Sequence, residues 1–111
     1  MAQEYSINEL VLLDQPSQTM DVAMNGQRVK FHFKYNTRSD HWTFDLYRGN
    51  VALLHGKKLV LGIDLLERYS FGLGSVLCHR FINREEPIEP NRSNLPKRDV
   101  RLYLIWQQRA A

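Results

Sequence analysis

The chain has a single cysteine in 111 residues, so no intramolecular disulfide can form and a reducing compartment is its natural home. Cys78 reads as a small buried apolar residue. No apolar run approaches the roughly 20 residues that span a bilayer. Met1-Ala2-Gln3-Glu4-Tyr5 lacks the basic-then-apolar order of a signal peptide, so a soluble protein made and kept in a cytoplasm is expected. The four histidines, His32, His41, His55 and His79, are scattered without metal-ligand spacing, and neither a metal nor any other cofactor is expected. Gly72-Leu73-Gly74 has no helix signal behind it, which excludes a phosphate-cradling loop. Glu85-Glu86 reads as a solvated pair, and Asn91-Arg92-Ser93 as a chance match to a glycosylation site.

Net charge is also small. Fifteen Lys and Arg against twelve Asp and Glu leave a formal charge of +3, too little to demand a nucleic-acid partner. The distribution is less even, with Arg28, Lys30, Lys34, Arg38, Arg48, Lys57 and Lys58 facing only Asp40 and Asp45 over residues 28–58. Such a stretch is either a face that tracks phosphates or a wet edge that resists strand-to-strand aggregation, and the wet edge is the simpler reading.

What is present is period-two alternation. Val29, Phe31, Phe33 and Tyr35 alternate with Arg28, Lys30, His32 and Lys34, the pattern of a strand with one dry face. Asn25-Gly26 just before it suits a type I′ turn, and Met20, Val22 and Met24 precede that at the same period. The hairpin register sets Met24 against Gln27, Val22 against Val29, Asp21 against Lys30 and Met20 against Phe31. A slip by one residue would turn every apolar side chain outward.

Residues 36–41 form the next turn, after which Trp42, Phe44 and Leu46 alternate with Thr43, Asp45 and Tyr47. Pairing Tyr35 with Trp42 sets Phe33 against Phe44, Phe31 against Leu46 and His32 against Asp45. Gly49-Asn50 suits a type II′ turn and brings Leu46 to Leu53. Four strands over residues 19–54 thus share one apolar face.

Around this meander the signals are shorter. Leu10-Val11-Leu12-Leu13 is expected to be a strand, stopped by Pro16-Ser17. Gly56 and Gly62 bracket a short apolar run and suggest a bend at each end. Asp64, with Glu67 three residues on, caps one helical turn through Leu65, Leu66 and Tyr69. Residues 75–82 and 100–106 read as strands, the latter apolar on both faces and therefore central. Residues 83–99 lack periodicity and hold three of the four prolines, which marks a long exposed loop, dispensable for folding and suited to partner contacts. The expected fold is all-β and mostly antiparallel, a small sandwich or barrel built on a four-strand meander with one short helical turn. One domain spans 1–111, with an N-terminal arm at 1–17 and the 83–99 loop.

No enzyme is expected. His32 facing Asp45 offers two-thirds of a catalytic triad, but the nearby hydroxyls, Thr19 and Thr43, sit on flat strand positions, so an ordinary cross-strand ion pair is the better reading. Arg28, Lys30 and Lys34 beside Tyr47 resemble the cationic, stacking face of barrels that hold single-stranded nucleic acid, although most aromatics fall on the core side.

A set of motifs carries a further resemblance: Asn25-Gly26-Gln27-Arg28, Tyr35-Asn36-Thr37-Arg38, Trp42-Thr43-Phe44-Asp45, Gly62-Ile63-Asp64-Leu65-Leu66 followed by Tyr69, and Val100-Arg101-Leu102-Tyr103-Leu104. Over residues 19–105 the chain resembles the small baseplate plug proteins of tailed bacteriophages, of the type found in a contractile-tailed cyanophage. The resemblance implies a non-enzymatic virion component in the central hub of the tail baseplate, assembled in a bacterial cytoplasm, contacting hub and tube proteins and copies of itself in a ring, with a multiple of three expected. Its matching residues, Asn36, Arg38, Trp42, Asp45, Asp64, Leu65, Leu66 and Tyr103, would shape turns and contacts. The 83–99 loop departs from the pattern.

Overall fold

The computed structural model describes residues 4–69, 71–80, 89–92, 95–96 and 100–108. Seven strands follow one another: β1 (Glu4–Leu10), β2 (Ser17–Met24), β3 (Gln27–Asn36), β4 (His41–Arg48), β5 (Val51–Lys58), β6 (Ser75–Arg80) and β7 (Val100–Gln108). They form two antiparallel sheets, one ordered β2-β3-β4-β5 and the other β1-β7-β6. Neither sheet closes on itself, so the fold is a sandwich rather than a barrel. No helix occurs among the described residues.

The meander follows from its alternation. Asn25 at φ 52° and Gly26 at φ 76° make the tight turn, and the β2–β3 and β3–β4 pairings are the expected ones, Met20 to Phe31 and Phe33 to Phe44 among them. The dry face carries Phe31 stacked on Phe33 at 5.6 Å between ring centres, with Phe44 tilted against both. These rings share one buried cluster with Val76, Cys78, Leu102 and Leu104 of the other sheet. Burial of such side chains is worth about 1.5–3 kcal/mol each, so the contact between sheets dominates the fold. Strand β7 is central, between β1 and β6, with Val100, Leu102 and Leu104 buried on one face and Arg101, Tyr103 and Ile105 half-buried on the other.

Several expectations are corrected. Leu46 pairs with Leu54 rather than Leu53, because β5 takes an irregular register on each side of that pair. The extra residues let Gly56, at φ 62°, bend the strand. The N-terminal strand ends at Leu10, before most of the apolar run. Beyond it Leu12 is buried while Val11 and Leu13 are exposed, and Gln18 holds the turn. Its amide nitrogen donates to Leu13 O at 2.9 Å and Gln15 O at 3.0 Å, and its Oε1 accepts from Leu13 N at 2.8 Å.

The crossover from β5 to β6 lies along the free edge of β6, with bridges Leu61 to Cys78 and Asp64 to Leu77. The expected helical turn takes the form of two i→i+3 turns, Glu67 N to Asp64 O and Tyr69 N to Leu66 O. Of the segment 83–99, residues 83–88, 93–94 and 97–99 lie outside the described part. The described residues of the segment are tied to the rest of the fold rather than clear of it. Leu61 N donates to Glu89 Oε2 at 2.9 Å, Trp42 Nε1 to Asn91 O at 2.8 Å, Arg92 pairs with Asp14, and Pro90 and Leu95 are buried.

Candidate functional site

Alternation places Ser17, Thr19, Arg28, Lys30, His32, Lys34, Thr43, Asp45 and Tyr47 on the face of the larger sheet turned away from the core. At its centre is Asp45, only 4% exposed. Its Oδ1 accepts from Gly56 N at 2.8 Å, an amide that the irregular register of β5 brings within reach. Its Oδ2 lies 3.1 Å from Lys34 Nζ. His32 Nδ1 stands 3.7 Å from Oδ2 and His55 Nδ1 3.6 Å from Oδ1. Burial pushes the carboxyl pKa upward, but the Gly56 amide, Lys34 and His55 together outweigh it and hold Asp45 below the usual carboxylate range.

The hydroxyl beside His32 belongs to Ser17, not to Thr19 or Thr43, with Ser17 Oγ 3.0 Å from His32 Nε2. Ser17, His32 and Asp45 thus follow the order of a hydrolase triad. Its chemistry does not follow. At 3.7 Å the His32–Asp45 contact is too long for the hydrogen bond that would fix the imidazole tautomer, and Lys34 already neutralises that oxygen. Among the described residues, no group of three His, Cys, Asp or Glu could hold a metal ion. Elsewhere, His41 Nδ1 is buried without a hydrogen-bond partner among the described residues, and His79 sits on β6.

The nucleic-acid face is only partly free. Arg28 and Lys30 are exposed and Lys30 pairs with Tyr47. Lys34 is engaged by Asp45, and Tyr47 is half-buried with His55 against its ring, 5.8 Å between centres. A stacking platform needs an open ring face beside mobile cations, and two of the four residues are committed elsewhere.

The other expected contact residues fall into separate groups. Asn36 Oδ1 accepts from Arg38 N at 3.0 Å and Ser39 N at 3.3 Å, closing the β3–β4 turn, while Arg38 is exposed. In that turn Tyr35 donates to Asp40, whose carboxylate raises the phenol pKa above its ordinary value. Trp42, Leu65 and Leu66 are core residues. Asp64 is a cross-link: Oδ1 accepts from Leu66 N at 3.0 Å and Val76 N at 3.2 Å, and Oδ2 from the Ser75 hydroxyl at 2.9 Å. Tyr103 is half-buried in β7, opposite Glu9 and Leu77. These residues build turns, core and cross-links in different parts of the sandwich rather than one pocket.

Sequence reading missed Gln18, His55 and Ser17. A buried glutamine has no periodic signature, and a diagonal or bulge-dependent neighbour cannot be read from strand parity.

A family model described as cyanophage baseplate Pam3 plug gp18 matches residues 7–107. The chain belongs to this family of baseplate plug proteins. Comparison with curated proteins found no match. Membership gives the chain a structural role in the tail baseplate and a place in the virion.

Proposed function

We propose that the chain is a hub-associated plug of a phage tail baseplate, acting through protein–protein contacts and carrying out no catalysis. The observation that supports this most is the family match across 7–107. In this reading the subunits assemble in the host cytoplasm as a ring, in a multiple of three, against hub and tube proteins. Residues 1–17 and 83–99 supply contacts at the rim, where Tyr5, Ile7, Val11 and Leu13 are exposed. Ring symmetry would add the buried area that a subunit of this size lacks. The residues Asn36, Arg38, Trp42, Asp45, Asp64, Leu65, Leu66 and Tyr103 hold the surfaces in shape rather than perform chemistry.

Quantitative mass spectrometry of purified particles tests this reading. The chain should be present at a few copies for each set of major tail proteins. Its absence from intact particles, with abundant protein in the infected cell, would overturn it.

A further inference from the structure

The outer face of the larger sheet divides in two. At one end Lys34 is taken up by Asp45. At the other, where the β2–β3 hairpin turns, a cleft of about 520 Å³ opens. Its lining includes Asp21 and Ala23 of β2, Arg28 and Lys30 of β3, and Gly49-Asn50 of the β4–β5 turn. The two cations come from the middle strand, with β2 on one side and the turn beyond β4 on the other. Arg28 and Lys30 are exposed and make no hydrogen bond or ion pair with any described residue. Asp21 is registered against Lys30 without an ion pair between them, and the Asn50 amide is likewise without a partner among the described residues. By contrast, Arg48 donates to Phe71 O at 2.9 Å and Lys57 lies over the Tyr69 ring.

We propose that this cleft receives an acidic side chain from a neighbouring protein. A lone surface cation contributes little to binding, but here two uncommitted cations and an uncommitted amide line one concavity. Arg28 takes the carboxylate through paired N–H donors, and Lys30 and the Asn50 amide supply further donors. Asp21 accepts from a backbone N–H of the same segment. That the occupant is acidic rests on these charges; that it is a protein rests on the baseplate reading. The same residues disfavour a nucleic acid, which needs a run of cations and an open aromatic face. Asp21 sets a like charge beside any phosphate, Lys34 further along β3 is engaged by Asp45, and Tyr47 has His55 against its ring.

The test uses the full chain in solution, so its outcome is independent of particle content. A short oligoglutamate peptide, titrated into isotope-labelled protein, should shift the amide resonances of residues 21–23, 28–30 and 49–50 and leave those around Asp45 in place. Affinity should fall as salt is raised, and an oligoglutamine peptide of the same length, a control that leaves the protein untouched, should not bind. Arg28→Ala should weaken binding by roughly tenfold or more, the loss of a hydrogen bond to a charged group, with an unchanged circular dichroism spectrum. Lys58→Ala, at an exposed cation on the far end of β5, should leave binding unchanged. In particles, the chain carrying both Arg28→Glu and Lys30→Glu should be lost from tails that incorporate the wild type. The plug reading fails by a different result, absence of the wild-type chain itself. No binding of oligoglutamate, equal binding of oligoglutamine, indifference to Arg28→Ala, tighter binding of oligothymidylate than of oligoglutamate, or normal incorporation of the doubly reversed chain would overturn the proposal.

Discussion

Lys34 lies diagonally across the β3–β4 pair from Asp45, its Nζ 3.1 Å from Oδ2, although Lys34 is registered with Thr43 and Asp45 with His32. The ion pair of this face is the diagonal one, and the directly opposed histidine stands further off.

Asp45→Asn keeps the shape of the side chain and removes its charge from Lys34 and the Gly56 amide. Hydrogen bonds to a charged group are worth about 1.5–3 kcal/mol, and a loss of that size is expected in urea unfolding at neutral pH. The folded pKa of Asp45 is depressed, so its contribution is fully present above the unfolded value, about pH 4. It is lost as pH falls through the lower folded pKa. The gap between wild type and Asp45→Asn should hold constant from pH 7 to about 5 and close in more acidic buffer.

Leu95 is 2% exposed within the core cluster, beside the segment whose Asn91 carbonyl accepts from Trp42. Leu95→Ala should destabilise the fold by about 2–5 kcal/mol, read from the urea midpoint. Deleting residues 84–97 removes both contacts, so a lowered melting temperature is expected even before any effect on assembly. The polar, proline-bearing composition of the segment suggested the opposite.

Gly74 distinguishes crowding from backbone strain. At φ 112° an added methyl carbon would sit 2.3 Å from Ile105 O and 2.8 Å from Trp106 Cβ, whereas one at Gly49, φ 60°, meets nothing within 4 Å. Gly49→Ala should cost about 1–2 kcal/mol, the strain of the left-handed region alone. Gly74→Ala should cost about 3 kcal/mol or more, since it must also displace a central strand. Comparable melting temperatures for the two variants would contradict this packing.

Cys78 is fully buried, and burial first, with Glu89 adding to it, pushes its thiol pKa up to about 12. The thiolate is the reactive form. Alkylation at pH 8 should therefore be negligible in the folded protein and rapid in urea, following the unfolding curve measured by tryptophan fluorescence. Alkylation of the native protein at the rate of a free thiol would show that β6 is open.

The sequence by itself determined the meander. Strict alternation in 27–47, the dipeptide Asn25-Gly26 and the parity of each turn decide which residues face which, because strand periodicity and turn dihedrals are local properties. His32 opposite Asp45 and Phe33 opposite Phe44 were legible on those grounds. Tertiary structure decided what parity cannot express. The irregular register of β5 delivers the Gly56 amide to Asp45, because the strand bends where Gly56 takes a positive φ. The pairing of β1 with β7, about a hundred residues away in the chain, satisfies the backbone groups on the second edge of β7, a long-range contact that no local period reports. The burial of Leu95 in the core cluster could not be read from an aperiodic stretch, because the hydrophobic effect acts on area and not on pattern.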